Sequence, residues 1–371
     1  MRISIITITG ESNYGNSLQN YALRYVLKTL GHNVSTIKTQ YEINSSLKSK
    51  HNVKQYVKIF LKRTNYFYFL RKVKFKKFSN KYLNKTDFVV DEKHPNEINN
   101  CDCLVFGSDQ IWNFTWGGRL CECIDFYTGG FAYDIPKISY SASIGANYIP
   151  KEKLNTFVEN VKKFKAISVR EETAKEIINS LMDNEVVVTL DPTLMLGEKE
   201  WLKISKKPKH IKKNEKFILV YFLGNISDEI KEYYSLIAKK NDYRIIKLYN
   251  EYTDIENIES KEDFVIDPRE FIWLVYNAKV VFTDSFHGSV FSMLFKKPFR
   301  CFDRSGCVAN MSSRMDTLFL KFGIIDWFKG NIEEKIDDIL STNYDNFDDI
   351  LDKEKTIALD YLKGALGLNE N

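Results

Sequence analysis

The sequence predicts an α/β fold of two Rossmann-like domains facing a cleft. Three observations predict it. Short apolar, β-branched runs alternate with helical patterns through most of the 371 residues, the signature of a parallel sheet covered on both faces. A Lys-rich polar stretch, KISKKPKHIKKNEK at 203–216, interrupts this alternation like a linker, after which it restarts. The chain is also too long for one ordinary core and suits two domains of about 150–200 residues.

Taken in order, RISIITIT (2–9) reads as a first strand, GNSLQNYALRYVLKTLG (15–31) as an amphipathic helix closed by Gly31, and NVSTIK (33–38) as the next strand. A basic helical insertion follows, at about 45–86. CLVFGS (103–108), KISYSAS (137–143) and AISVR (166–170) read as strands, helical stretches as 151–164 and 171–182, and VVVTLDPTLML (186–196) as a strand running into an Asp-Pro turn. Beyond the linker come strands at 217–224, 243–250, 279–283 and 298–302, with helices at 227–241, 268–278, 286–296 and 312–322. The acidic tail reads as a helix that crosses back over the first domain. The predicted boundaries are 1–190, 191–345 and 346–371.

Composition narrows the function classes. At 44% hydrophobic and 28% charged, the chain has a soluble globular composition. Its first residues read as a buried strand, not a secretory signal, and no run of about 18 apolar residues suggests a membrane span. A cytoplasmic chain with reduced thiols is the expectation. Four of the six Cys form two C-x-C pairs, at 101–103 and 121–123. That spacing is tighter than the usual zinc-binding C-x2-C, and no metal is expected. The net charge of +5 hides an asymmetry, because Lys48 to Lys85 holds 13 Lys and Arg with no acid, leaving 41 basic against 49 acidic residues elsewhere. Such a block, rich in aromatics, reads either as helices with a solvated Lys face or as a peripheral docking surface for an anionic leaflet at the inner membrane face. No nucleic-acid motif accompanies it, and no nucleic-acid partner is expected.

In open parallel sheets, ligands sit beyond the carboxyl ends of strands. Four polar clusters occupy that place: TGESNYGN (9–16), GSDQIWN (107–113), REE (170–172) and TDSFHG (283–288). The second supplies sugar-type hydrogen bonds and a stacking face. The third places Arg170 at a strand end. In the fourth, His287 follows Asp284 and Ser285 and precedes Gly288, where an imidazole can move a proton near neutral pH or pair with a phosphate.

Together and in order, NYGNSLQNYAL (13–23), GSDQIWN (107–113), SYSASIG (139–145), ISVREE (167–172), DPTLML (191–196) and DSFHGSVFS (284–292) resemble the polysaccharide pyruvyl transferase family. The resemblance implies an architecture like glycosyltransferase B. It also implies transfer of the enolpyruvyl carbon of phosphoenolpyruvate to two hydroxyls of a sugar or lipid-linked oligosaccharide, giving a pyruvate ketal without a cofactor. On that basis His287 and Asp284 are the expected catalytic pair. Arg170, Ser285, Gly288, Arg304 and Arg314 are expected at the donor. Asn13, Tyr14, Asn16, Gln19, Ser108, Asp109, Gln110 and Trp112 are expected at the acceptor. Characterised members often carry an Arg two positions before the His; here that position is Ser285, so Arg304 and Arg314 become candidate cations for the phosphate. A nucleotide-sugar glycosyltransferase and a non-catalytic carbohydrate-binding relative are the rival readings.

Overall fold

The structure, a computed structural model, describes residues 1–9, 12–39, 63–90, 98, 100–116, 123–132, 134–250, 253, 258–304, 312–324 and 343–368. Two parallel sheets organise it. The larger contains β1 (Arg2–Ile6), β2 (Asn33–Thr39), β3 (Lys85–Val90), β4 (Cys103–Asp109), β5 (Lys137–Ala142), β6 (Ile167–Val169) and β7 (Val186–Val188), in the order β3-β2-β1-β4-β5-β6-β7. The smaller contains β8 (Phe217–Tyr221), β9 (Arg244–Leu248), β10 (Val280–Thr283) and β11 (Phe299–Cys301), in the order β11-β10-β8-β9. β4, β5, β8 and β10 are buried along their whole length. Full burial is why β8, β10 and the start of β4 read as continuous apolar runs without alternation.

The helices fill the crossovers. In the first unit they are α1 (Tyr14–Thr29), α2 (Arg63–Tyr82), α3 (Ile124–Thr128), α4 (Lys151–Val161) and α5 (Glu172–Leu181). Two short helices, α6 (Pro192–Met195) and α7 (Glu198–Ile204), lead to the second sheet. There α8 (Asp228–Asn241), α9 (Lys261–Phe264), α10 (Pro268–Asn277), α11 (Phe286–Leu294) and α12 (Ser312–Phe322) follow, and α13 (Phe347–Ala365) ends the chain. Their starts are chemically marked. Ser227 and Ser285 accept from the backbone N–H three residues on, and Asp267 with Glu270 forms a capping box ahead of Pro268.

The order reverses between β1 and β4 in one sheet and between β8 and β10 in the other. These are the topological switch points at which open sheets bind ligands. One apolar cluster runs through both units, from Ile3, Tyr14 and Leu18 to Phe271, Phe291 and Val281. The polar linker is docked, not loose. Lys206 bonds Glu270 at 3.1 Å, and His210 Nε2 lies 2.7 Å from Asp263. From α13, Tyr361 Oη donates to the Ser139 carbonyl of β5 at 2.7 Å, and Glu354 pairs with Lys321 of α12.

One expectation needs correction. Lys85 and Thr86, read as the end of the basic helical insertion, instead begin the edge strand β3 beside β2. The described part of that insertion presents a Lys face and also packs inward. Its segment 45–62 lies outside the described residues, but on α2 the aromatic residues Phe75 and Phe78 enter the core. Arg71 turns inward too, donating to Tyr14 Oη, the Phe264 carbonyl and the Ser12 carbonyl, with its guanidinium about equidistant from the rings of Tyr14, Phe75 and Phe264. Lys74 pairs with buried Glu270 at 2.8 Å. The basic helix thus clamps one unit to the other. No helix among the described residues is long and apolar enough to cross a membrane.

Candidate active site

The carboxyl ends of β4, β6, β7 and β10 bring together Ser108, Asp109, Arg170, Asp191 and His287. Arg170, which follows β6, is almost wholly buried. Its Nη2 lies 2.8 Å from Asp191 Oδ2 and 2.5 Å from Ser108 Oγ, and its Nη1 lies 3.7 Å from Asp109. Asp191 opens the turn after β7. Its Oδ1 accepts from the backbone N–H and the hydroxyl of Thr193. Its Oδ2 faces the site, 3.7 Å from His287 Nε2. That is an ion-pair separation, longer than a hydrogen bond. Burial alone would push the Asp191 carboxyl up, but the Arg170 and His287 charges hold it well below the usual carboxylate range.

His287 stands at the second position of α11, two residues after the cap Ser285. Its ring packs flat against the start of α1, so a methyl group on Gly15 would sit 2.7 Å from both Cγ and Cε1 and closer still to Nδ1. This close approach gives the glycine of NYGN its reason. Neighbouring Phe286 carries two guanidinium groups near its ring, Arg170 at 4.8 Å and Arg314 of α12 at 5.5 Å from the centroid. Burial, with the repulsion of Arg170, pushes Arg314 down to about 10, so it remains a cation at neutral pH. Burial likewise pushes the Glu171 carboxyl up, although its Oε1 accepts from Ser143, Ile144 and Gly145.

Buried polar atoms without hydrogen-bond partners among the described residues gather here. They are Arg170 Nε and Nη1, His287 Nε2, Glu171 Oε2 and Tyr140 Oη. Leaving one such group unsatisfied costs about 1–3 kcal/mol, so a cluster of them marks a place where a polar ligand or water completes the bonding.

Several expected site residues have other occupations. Asp284 is not placed as a proton carrier. Its two oxygens accept from the N–H groups of Leu223 and Gly224 at 2.6 and 2.7 Å and from Arg304 Nε at 3.3 Å. It ties together the ends of β8 and β10 at the switch point. Ser285 caps α11, and Gly288 packs against Thr283. Tyr14 is fully buried, stacked on Phe271 at 4.8 Å, with its hydroxyl bonded to Arg71. Trp112 is fully buried with its indole N–H on the Tyr127 carbonyl. Neither ring presents a face to a sugar; both act through packing. Gln19 is buried and donates to Thr7 Oγ1 and the Asn16 carbonyl. Asn13 caps α1 by accepting from the Asn16 N–H, and both are half-buried at the site's rim. Gln110 is buried beside Gly145. The two C-x-C pairs form no metal site among the described residues, where no three His, Cys, Asp or Glu side chains cluster as ligands would; Cys121 lies outside the described residues.

Asp191 is the site residue that the sequence does not single out, although it opens the DPTLML motif. Its Asp-Pro step reads as turn chemistry, which it also is.

Residues 13–306 match the family described as polysaccharide pyruvyl transferase. The chain belongs to that family. Its family is one of transferases acting on polysaccharide. No curated protein matches the chain. Among solved structures, a putative UDP-N-acetylglucosamine 2-epimerase from Listeria monocytogenes is similar at 12% identity, with a TM-score of 0.52, covering 97% of this chain and 90% of its own. The S. aureus MnaA–UDP co-structure is similar at 14% identity, with a TM-score of 0.50, covering 99% and 97%. At such identities the likeness is one of fold, and the fold is of the glycosyltransferase B kind.

Proposed function

We propose that this transferase moves the enolpyruvyl carbon of phosphoenolpyruvate onto two hydroxyls of a polysaccharide or lipid-linked sugar, forming a pyruvate ketal. The observation that carries the reading is the gathering of unpartnered buried polar atoms on Arg170 and His287, beside a second buried cation, Arg314. Such a place suits a small, strongly anionic donor.

The residues fit the chemistry. Protonating the methylene of phosphoenolpyruvate makes C3 a methyl group and leaves a cation at C2. A sugar hydroxyl adds to C2 and loses its proton. The C2–O bond to phosphate then breaks, inorganic phosphate departs, and a second hydroxyl closes the ketal and gives up its proton. His287 acts as the acid and base in these transfers. Arg170 and Arg314, with Arg304 at the rim, balance the phosphate and carboxylate charges. The cation that relatives place two residues before the His comes here from α12 through Arg314, while Ser285 shapes the start of α11.

The acceptor reading extends to the bilayer. On α2 the arc opposite the core exposes Tyr66, Phe69, Lys72, Lys76, Lys77 and Lys81, with no acidic residue in the helix. This face suits peripheral docking on an anionic inner leaflet, at about 1 kcal/mol per well-placed charge. Co-sedimentation with anionic but not neutral vesicles, weakened by salt, is expected; equal binding to both vesicle types, or to neither, removes the docking role.

The test of the chemistry is phosphate release from phosphoenolpyruvate across a panel of free and lipid-linked sugars. Release that needs both donor and acceptor supports the proposal. Release of a nucleoside diphosphate from a nucleotide sugar supports a glycosyltransferase instead, and glycan binding without turnover of either donor supports a binding relative.

A further inference from the structure

The geometry points to Asp191 as the positioning residue of this site, holding Arg170 of the first unit and His287 of the second in register through one carboxylate oxygen. The inference rests on the reading of those two residues as the reacting centre.

The two oxygens of Asp191 divide the labour. Oδ1 is fixed by the turn that Asp191 itself begins, where Thr193 supplies a backbone N–H at 2.9 Å and a hydroxyl. With Pro192 in the first helical position, this cap sets the carboxylate plane. Oδ2 is then aimed at the site, 2.8 Å from Arg170 Nη2, 3.2 Å from Ser108 Oγ and 3.7 Å from His287 Nε2. The side chain is fully enclosed, so water does not screen these attractions. A purely structural cap needs only Oδ1. A second oxygen facing Arg170 of one unit and His287 of the other does more, because it fixes their spacing.

What would happen without it follows from the other charges present. Arg170 has a second carboxylate within reach, Asp109 at 3.7 Å. Once Oδ2 is neutral, the guanidinium is drawn toward Asp109. The imidazole loses the anion facing Nε2, while its other edge stays against Gly15. Of the two neutral tautomers, a carboxylate facing Nε2 favours the one that carries its proton there. A carboxylate that selects the tautomer of a working imidazole is a known way to orient one.

Asp191→Asn isolates this role, since Asn caps a helix about as well as Asp but carries no charge. The measurement is the ring nitrogen spectrum of His287 in protein labelled at histidine, with the His287 signals assigned as those missing from His287→Gln. In the wild type the neutral ring is expected on Nε2–H, and in Asp191→Asn both nitrogens shift as that preference is lost. Turnover of phosphoenolpyruvate is expected to fall by about 10²-fold or more in kcat, in line with loss of a positioned acid–base group, with little change in KM. A wild-type ring on Nδ1–H, or an Asp191→Asn spectrum that superimposes on the wild type, overturns the inference. The first of these outcomes stands even if the variant does not fold. Should the wild type turn over no phosphoenolpyruvate, the transferase reading fails, while the ring measurement still decides what Asp191 does.

Discussion

Replacing Gly15 by Ala tests whether His287 must stand where it does. The added methyl would meet Cγ and Cε1 of the ring at 2.7 Å, against ordinary carbon contacts of about 3.5–4.0 Å. Something must recede by roughly 1 Å. The backbone of α1 is the stiffer party, because Tyr14 stacks on Phe271 and accepts from Arg71 next door. The imidazole therefore moves, and moves away from Asp191 or Arg170. A misplacement of about 1 Å can cost about 10²-fold in rate. Stability changes little by comparison. Overpacking costs about 1–3 kcal/mol, and Ala regains about 0.8–1.0 kcal/mol over Gly inside a helix, so the variant stays folded. Phosphate release from phosphoenolpyruvate with the working acceptor reads the rate, and urea unfolding reads the fold. A Gly15→Ala enzyme that is folded and about 10²-fold slower is the expected result. One that retains wild-type turnover refutes the placement of His287 as the reacting group.

Other perturbations separate chemistry from scaffold. His287→Gln keeps side-chain bulk without the imidazole, and turnover should fall by about 10²–10⁴-fold with an unchanged unfolding midpoint. Because the Asp191 carboxyl is depressed in the folded state, the unfolded chain binds more protons in acid. Its contribution is complete above the ordinary Asp range near 4 and is lost as pH falls toward the depressed native value, so thermal unfolding followed from neutral pH to pH ~3 should show a shallower loss in Asp191→Asn than in the wild type. Arg71→Ala removes hydrogen bonds from a buried guanidinium to both units and should lower unfolding stability by about 3 kcal/mol or more, measured by urea titration; a change under about 1 kcal/mol would show that the clamp is dispensable.

Much of the scaffold was legible because fully buried parallel strands leave runs such as CLVF and KVVF, and because serine and aspartate caps announce helix starts. The edge strand β3 was not, since its apolar end, DFVV, follows a Lys-rich helical pattern without a break. At the site, strand-end position found Arg170, Ser108, Asp109 and His287, which are all drawn together. It could not separate residues that face the ligand from residues that hold the walls. Tyr14, Trp112 and Asp284 have the right chemistry for a sugar or a proton, but their polar atoms are already bonded inside the protein. Arg71 and Lys74 look like surface charge until a neighbouring unit supplies the Phe264 carbonyl and the carboxylate of Glu270. The contact between Gly15 and His287 joins residues from opposite ends of the fold, and no local pattern encodes it.

The most direct measurement of the central claim follows the carbon that is transferred. Phosphoenolpyruvate labelled with ¹³C at C2 is incubated with the protein and the sugar acceptor that supports phosphate release, and the product is read by carbon NMR. The account predicts one quaternary ketal carbon on the sugar for each phosphate released, and none with His287→Gln. Phosphate release with the label recovered as free pyruvate, or label left in phosphoenolpyruvate while a nucleotide sugar is consumed, would contradict it.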